Sequence, residues 1–173
     1  MDPRSQARKI YDGAKQAELL TVELNCIGWA SALMLCVYEF IDKNLGQTPP
    51  FDIPQMRYVD YGLAISKTDN YSAFLLEEFI ETPVEHIQSG SKGFVKYLNN
   101  NSAKSRSFSD HKLTHRAEFL SFAQHVQFWK TDGLAFVSDL QGMHFKIVSD
   151  SNPTNQSTGG LSLLTDPQII THP

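Results

Sequence analysis

Cysteine is scarce: Cys26 and Cys36 are the only two in 173 residues. Both fall in one apolar stretch that reads as helix, about 15 Å apart at the helical rise per residue, too far for a disulfide. A disulfide scaffold is thereby excluded, and buried free thiols in a reducing compartment are expected. No run of like charge occurs and the formal net charge is only −4, which argues against a basic arm, an acidic tail or a general nucleic-acid binder. The segment Met1-Asp2-Pro3-Arg4-Ser5 lacks the apolar core of a signal peptide. The most apolar stretch, Ile27 to Ile41, carries Ser31 and Glu39 and reads as too short for a membrane span. Internal repeats and low-complexity tracts are missing as well. These absences together lead us to expect an intracellular, cytoplasmic chain with neither nucleic acid nor membrane as partner.

What is present is an ordinary globular balance, 41% apolar and 20% charged, enough to bury a core in one domain of this length. Gln6 to Tyr11 can form a short strand before a turn at Asp12-Gly13. From Lys15 to about Asn44 the apolar positions Leu20, Leu24, Ile27, Ala30, Met34, Val37 and Ile41 fall close to one helical face. Gly46 and Pro49-Pro50 end that helix. Met56 to Ser66 and Tyr71 to Ile80 read as strands joined by a polar hairpin loop at 67–70. Gly93 to Leu98 is a short element, and Asn99 to Asp110 a Ser/Asn/Lys-rich loop. His115 to Lys130 is a second amphipathic helix, with Phe119, Phe122, Ala123, Val126 and Trp129 on one face. Asp132-Gly133 turns the chain into a short buried strand, Leu134 to Val137, and Ser149 to Gly160 reads as a surface loop. The order suits an α+β fold.

Chemistry concentrates in two places. In Phe136-Val137-Ser138-Asp139-Leu140-Gln141-Gly142 an apolar strand delivers a carboxylate and an amide oxygen two residues apart. In extended backbone such residues share a side, and paired oxygens of this kind suit Mg²⁺. In Leu163-Leu164-Thr165-Asp166-Pro167-Gln168-Ile169 another Asp follows an apolar run, before a stiffening proline. Taken singly, each segment fits a polar turn at a strand end better than a metal site.

Taken together and in order, Asp-Leu-Gln-Gly followed by Leu-Thr-Asp-Pro-Gln-Ile resembles the catalytic core of the alpha-kinases, atypical serine/threonine protein kinases such as elongation-factor-2 kinase and myosin heavy chain kinase. Upstream, Leu76-Glu77-Glu78-Phe79-Ile80 is similar to the family's hinge strand, and Lys96-Tyr97 followed by Asn99 and Asn100 to its Lys-Tyr-Asn segment. Phe122-Ala123-Gln124-His125 resembles its Ala-Phe-Ser-His helix, and Ala7-Arg8-Lys9-Ile10-Tyr11 its nucleotide-lysine strand. The resemblance implies a two-lobed protein-kinase-like fold, an N-lobe at about 1–80 and an incomplete C-lobe at about 81–173. It implies ATP and Mg²⁺ as cofactors and a protein substrate.

By the same resemblance, Asp139 would be the catalytic aspartate, and Gln141 and Asp166 would hold Mg²⁺ against the ATP phosphates. Glu77 would sit at the hinge near the adenine. Arg8 or Lys9 would contact the phosphates: the family pattern puts the lysine where Arg8 stands, and Lys9 then faces the other side of the strand. Glu23 is the candidate acid that steadies this cation, a solvated helix face being the equal alternative. His125 matches a structural zinc ligand whose partners in the family lie in a downstream Cys/His segment, so no zinc is expected here. The family's glycine-rich substrate loop should follow Ile169, where this sequence lacks it. The spacing from Asp139 to Asp166 exceeds the family's, so 143–160 is expected to bulge out as an added loop. These departures keep a second reading open, a pseudokinase acting as a binding module.

Overall fold

The computed structural model describes residues 11–46, 52–68, 71–80, 93–100, 102, 104–146 and 160–171. Arg8, Lys9 and most of the expected 6–11 strand lie outside these residues.

Helix α1 spans Gly13–Asn44, starting where Asp12 accepts a hydrogen bond from Lys15 N at 2.8 Å. Asp12 is thus an N-cap, satisfying one of the free N–H groups at the helix start. The expected face is buried from Ile27 onward: Ile27, Ala30, Met34, Val37 and Ile41 enter the core. By length and composition α1 is also long and apolar enough to cross a membrane, which corrects the expectation that its apolar run is too short. Ser31 contributes to this by returning its hydroxyl to Ile27 O at 2.9 Å, a bond that hides its polarity.

The expected strand from Met56 to Ser66 is in fact two strands, β1 (Gln55–Tyr58) and β2 (Tyr61–Ile65). They belong to different sheets. β2 forms an antiparallel hairpin with β3 (Ala73–Glu77), as the polar loop predicts, whereas β1 pairs parallel with β7 (Gly160–Thr165). Tyr38 fixes the approach to β1 from α1: its hydroxyl donates to Pro54 O and accepts from Met56 N, both at 2.8 Å.

The remaining elements are β4 (Val95–Lys96), α2 (His111–Lys130), β5 (Ala135–Ser138), β6 (Gln141–Lys146) and β8 (Gln168–Thr171). Helix α2 begins one turn before the expected His115, because Asp110 caps it by accepting from Lys112 N at 2.7 Å. Its apolar stripe packs on α1, with Tyr38 stacked on Phe119 at 5.9 Å and Phe40 edge-on to Trp129 at 5.6 Å. Leu134 is exposed, so the strand there begins at Ala135.

A four-stranded sheet runs β1-β7-β6-β4, and β5 pairs with β8 in a separate two-stranded sheet. The expected added loop at 143–160 is corrected at its near end. Residues 141–146 are β6, antiparallel to β7, so the excursion is a β-hairpin. β6 and β7 pair Gln141 with Thr165, and β5 and β8 pair Ser138 with Gln168. The two ladders keep one register, with Asp139-Leu140 on one arm opposite Asp166-Pro167 on the other. Residues 135–146 and 160–171 are therefore the two arms of one long hairpin, bent once. Both aspartates adopt left-handed backbone at the bend, φ 56° at Asp139 and 52° at Asp166, a conformation asparagine and aspartate tolerate better than most residues.

Candidate active site

The bend is pinned from three sides. Gln124 Nε2 of α2 donates to Val137 O at 2.7 Å, and Gln127 Oε1 accepts from Val137 N at 2.9 Å. These two buried glutamines satisfy backbone groups of β5. Ser138 Oγ donates to Asn100 O at 3.0 Å, and Tyr97 N donates to Leu140 O at 2.9 Å. Leu140 itself is 2% exposed and anchors the turn in the core.

One cross-strand rung organises the polar groups. In β4-β6-β7, Lys96 stands opposite Gln141, and Gln141 opposite Thr165. Directly opposed residues project to the same face of a sheet, with Cβ atoms about 5 Å apart. Each of the three holds one carboxylate. Lys96 Nζ is ion-paired with Asp139. Gln141 Nε2 donates to Asp166 Oδ2 at 3.0 Å, and Thr165 Oγ1 donates to Glu77 Oε2 at 2.9 Å. Asp139, Gln141 and Asp166 are thus brought to one rung, and Glu77 joins them from the end of β3. The expectation that Asp139 and Gln141 share one extended strand is corrected: left-handed Asp139 breaks it, and Lys96 relates the two side chains instead.

The burial of Asp139 carries chemical information. The residue is 6% exposed, and its Oδ1 faces the Lys96 ammonium. Lys96 also donates to Asn100 Oδ1 at 3.0 Å, and its carbonyl is held by Arg106 at 3.1 Å. The resemblance assigns Lys96 no role. The legible signal is a lysine directly before two fully buried residues, Tyr97 and Leu98.

The pair Gln141–Asp166 fits Mg²⁺. One carboxylate and one amide oxygen, completed by water and phosphate, is how that ion is commonly held. Among the described residues no group of three or more His, Cys, Asp and Glu side chains could hold a metal. His125 is exposed on α2, with Nδ1 2.7 Å from Ser121 O. Glu23 is exposed on α1, one turn before buried Ile27 and on the same side. No ion pair among the described residues involves it.

Beside the rung, Glu78 accepts both arms of Arg57, Nη1 at 2.6 Å and Nη2 at 2.9 Å, and also Asp60 N at 3.0 Å. The Arg57 hydrogen bond, then that from Asp60, lowers the Glu78 carboxyl to about 2.

The alpha-kinase family model matches residues 15–173. No curated protein matches the chain. Among solved structures, a novel alpha kinase from Entamoeba histolytica is 18% identical, with a TM-score of 0.46. The match covers 88% of this chain and 51% of that one, so this chain spans about half the length of that protein. With the family model covering most of its length, the chain belongs to the alpha-kinase family.

Proposed function

We propose that this chain is the catalytic part of a protein serine/threonine kinase that transfers the γ-phosphoryl group of ATP to a protein hydroxyl. Family membership supports kinase chemistry. The observation that carries the reading is the Lys96-Gln141-Thr165 rung, with Asp139, Asp166 and Glu77 each held on one of its members. Phosphoryl transfer needs alignment and charge neutralisation more than covalent help from the protein.

In this reading the substrate hydroxyl donates its hydrogen to the Asp139 carboxylate. As the hydroxyl oxygen bonds to the γ-phosphorus, the bond from that phosphorus to the β,γ-bridging oxygen breaks. The proton goes to the Asp139 carboxylate, and ADP leaves. Lys96 keeps Asp139 in place by its ion pair. Gln141 and Asp166 would hold Mg²⁺, which when bound neutralises phosphate charge. Glu77 would lie by the adenine, and Arg8 or Lys9, steadied by Glu23, would meet the phosphates. ATP as substrate also fits the intracellular, cytoplasmic location expected from the sequence.

The test is transfer of labelled phosphate from Mg-ATP to a generic basic protein, comparing the wild type with Asp139→Ala. Transfer that disappears in the variant supports the proposal. Equal signals from both proteins refute it, and Mg-ATP binding without turnover in the wild type would identify a binding module.

A further inference from the structure

The chain crosses from the four-stranded sheet to the β2–β3 hairpin at Val59-Asp60 and leaves that hairpin after Glu77. Val59 N still bonds Leu164 O at 2.9 Å, so the β1–β7 pairing persists up to the crossing. At Asp60 both backbone groups turn to Glu78: Asp60 N donates to Glu78 Oε2 at 3.0 Å, and Glu78 N donates to Asp60 O at 2.7 Å. The entry to the hairpin and the exit from it are stapled to each other through this one residue. Glu78 is in turn gripped by Arg57 of β1, whose Nη1 also donates to Tyr58 O at 3.0 Å. Its neighbour Glu77 accepts from Thr165, the residue before Asp166.

We propose that Arg57 and Glu78 form a positioning pair that holds Asp166 in place, acting through the Glu77–Thr165 hydrogen bond. The inference rests on reading Asp166 as a cation-holding residue. Magnitudes favour geometry over stability as the function of this pair. The Arg57 and Glu78 side chains are 41% and 28% exposed, and partly exposed ion pairs contribute little to stability. A two-armed guanidinium fork, however, fixes direction as a single ammonium cannot. Successive residues 77 and 78 then convert that direction into the placement of Thr165 at the foot of β7. A lost fork would leave the core intact and free the hinge to slide against the rung.

Amide hydrogen exchange on the full chain tests this with Arg57→Met, and with Arg57→Lys should the first fail to fold. In either variant, exchange at 75–78 and 164–166 should accelerate by about tenfold while 142–145 in β6 stays unchanged, local opening being separable from global unfolding. Thr165→Val should loosen 164–166 and leave 58–60 protected. Unchanged exchange at 164–166 alongside loosening of 58–60 in the Arg57 variants overturns the proposal. A Mg-ATP thermal-shift titration separates this from the kinase reading. If the wild type responds, Arg57→Met should need about tenfold more Mg-ATP for the same shift, and an unchanged titration overturns the positioning role. A wild type that does not respond counts against the kinase reading, and the exchange result then decides the pair alone.

Discussion

Gln141 reaches across the bend of the long hairpin to Asp166, its Nε2 3.0 Å from Oδ2, although 25 residues separate them in sequence. The amide N–H is committed to the carboxylate, and in the proposed reading the Gln141 carbonyl oxygen would be the second donor to Mg²⁺. Asp166→Ala should therefore abolish the Mg²⁺ dependence of ATP binding, and Gln141→Ala should weaken it by about tenfold, one ligand of a partly hydrated ion being lost. Thermal-shift titrations with ATP in the presence and absence of Mg²⁺ read this directly. Retention of full Mg²⁺ dependence in Asp166→Ala would remove the pair from the mechanism.

Gly142 follows Gln141 for a packing reason. A Cβ built there would lie 2.9 Å from Leu163 C and closer still to Leu163 O, both backbone atoms of the partner strand. Backbone cannot rotate away as a side chain can, so Gly142→Ala must force β6 from β7. We expect a loss of about 1–3 kcal/mol in urea unfolding. Gly62 in β2 is the control, with nothing within 4 Å of a Cβ. Gly62→Ala should be neutral or gain about 0.5 kcal/mol, through a less flexible unfolded chain. Equal behaviour of the two variants would contradict the close approach of β6 and β7.

Lys96 and Asp139 form an ion pair in which the carboxylate is almost wholly buried and the ammonium only partly so. Removing the lysine leaves an uncompensated buried charge, a cost of about 3 kcal/mol in comparable cases. Lys96→Met should thus destabilise strongly, and Asp139→Asn in that background should recover most of the loss. A double-mutant cycle by denaturant unfolding measures the coupling. Additive effects would show that the two side chains do not meet in solution.

The helices were legible because a single face of apolar residues is a local property. Ile27, Ala30, Met34 and Val37 announce α1 within its own sequence, and Phe119, Ala123 and Val126 announce α2. Asp110 was less visible as a cap, since the apolar stripe begins later than the hydrogen-bonded turn. β6 is illegible for a different reason: its partner β7 lies beyond 147–159, and a strand whose pairing is remote has little local signature. Met143, buried between glycine and histidine, was its faint trace. The split of Met56 to Ser66 was likewise hidden. Val59-Asp60 contains no glycine or proline, and the break is made by Glu78 binding Asp60 from 18 residues away. The residue identities of the site came from ordered motifs, whereas the rung joining them is a property of strand register that no single segment contains.

Acid should reveal the Arg57–Glu78 fork. Hydrogen bonds from Arg57 and then Asp60 lower the Glu78 carboxyl to about 2 in the folded chain, against an ordinary glutamate value of about 4.3 when unfolded. Above about pH 4.3 the carboxylate is ionised in both states and the full contribution of the pair is present. Between about 4.3 and 2 the unfolded chain takes up the proton first, so stability falls as pH falls through that window. Arg57→Met removes the largest cause of the shift. Its stability should therefore depend less on pH across this window, while being lower than wild type at neutral pH. The partial exposure of both side chains keeps the difference small and makes it shrink in 0.5 M salt, about the range where screening becomes short. Urea midpoints measured from pH 7 down to pH 3 for both proteins give the comparison. Parallel curves with a constant offset would mean that Glu78 does not carry the proton linkage, and that the fork is not formed in solution as described.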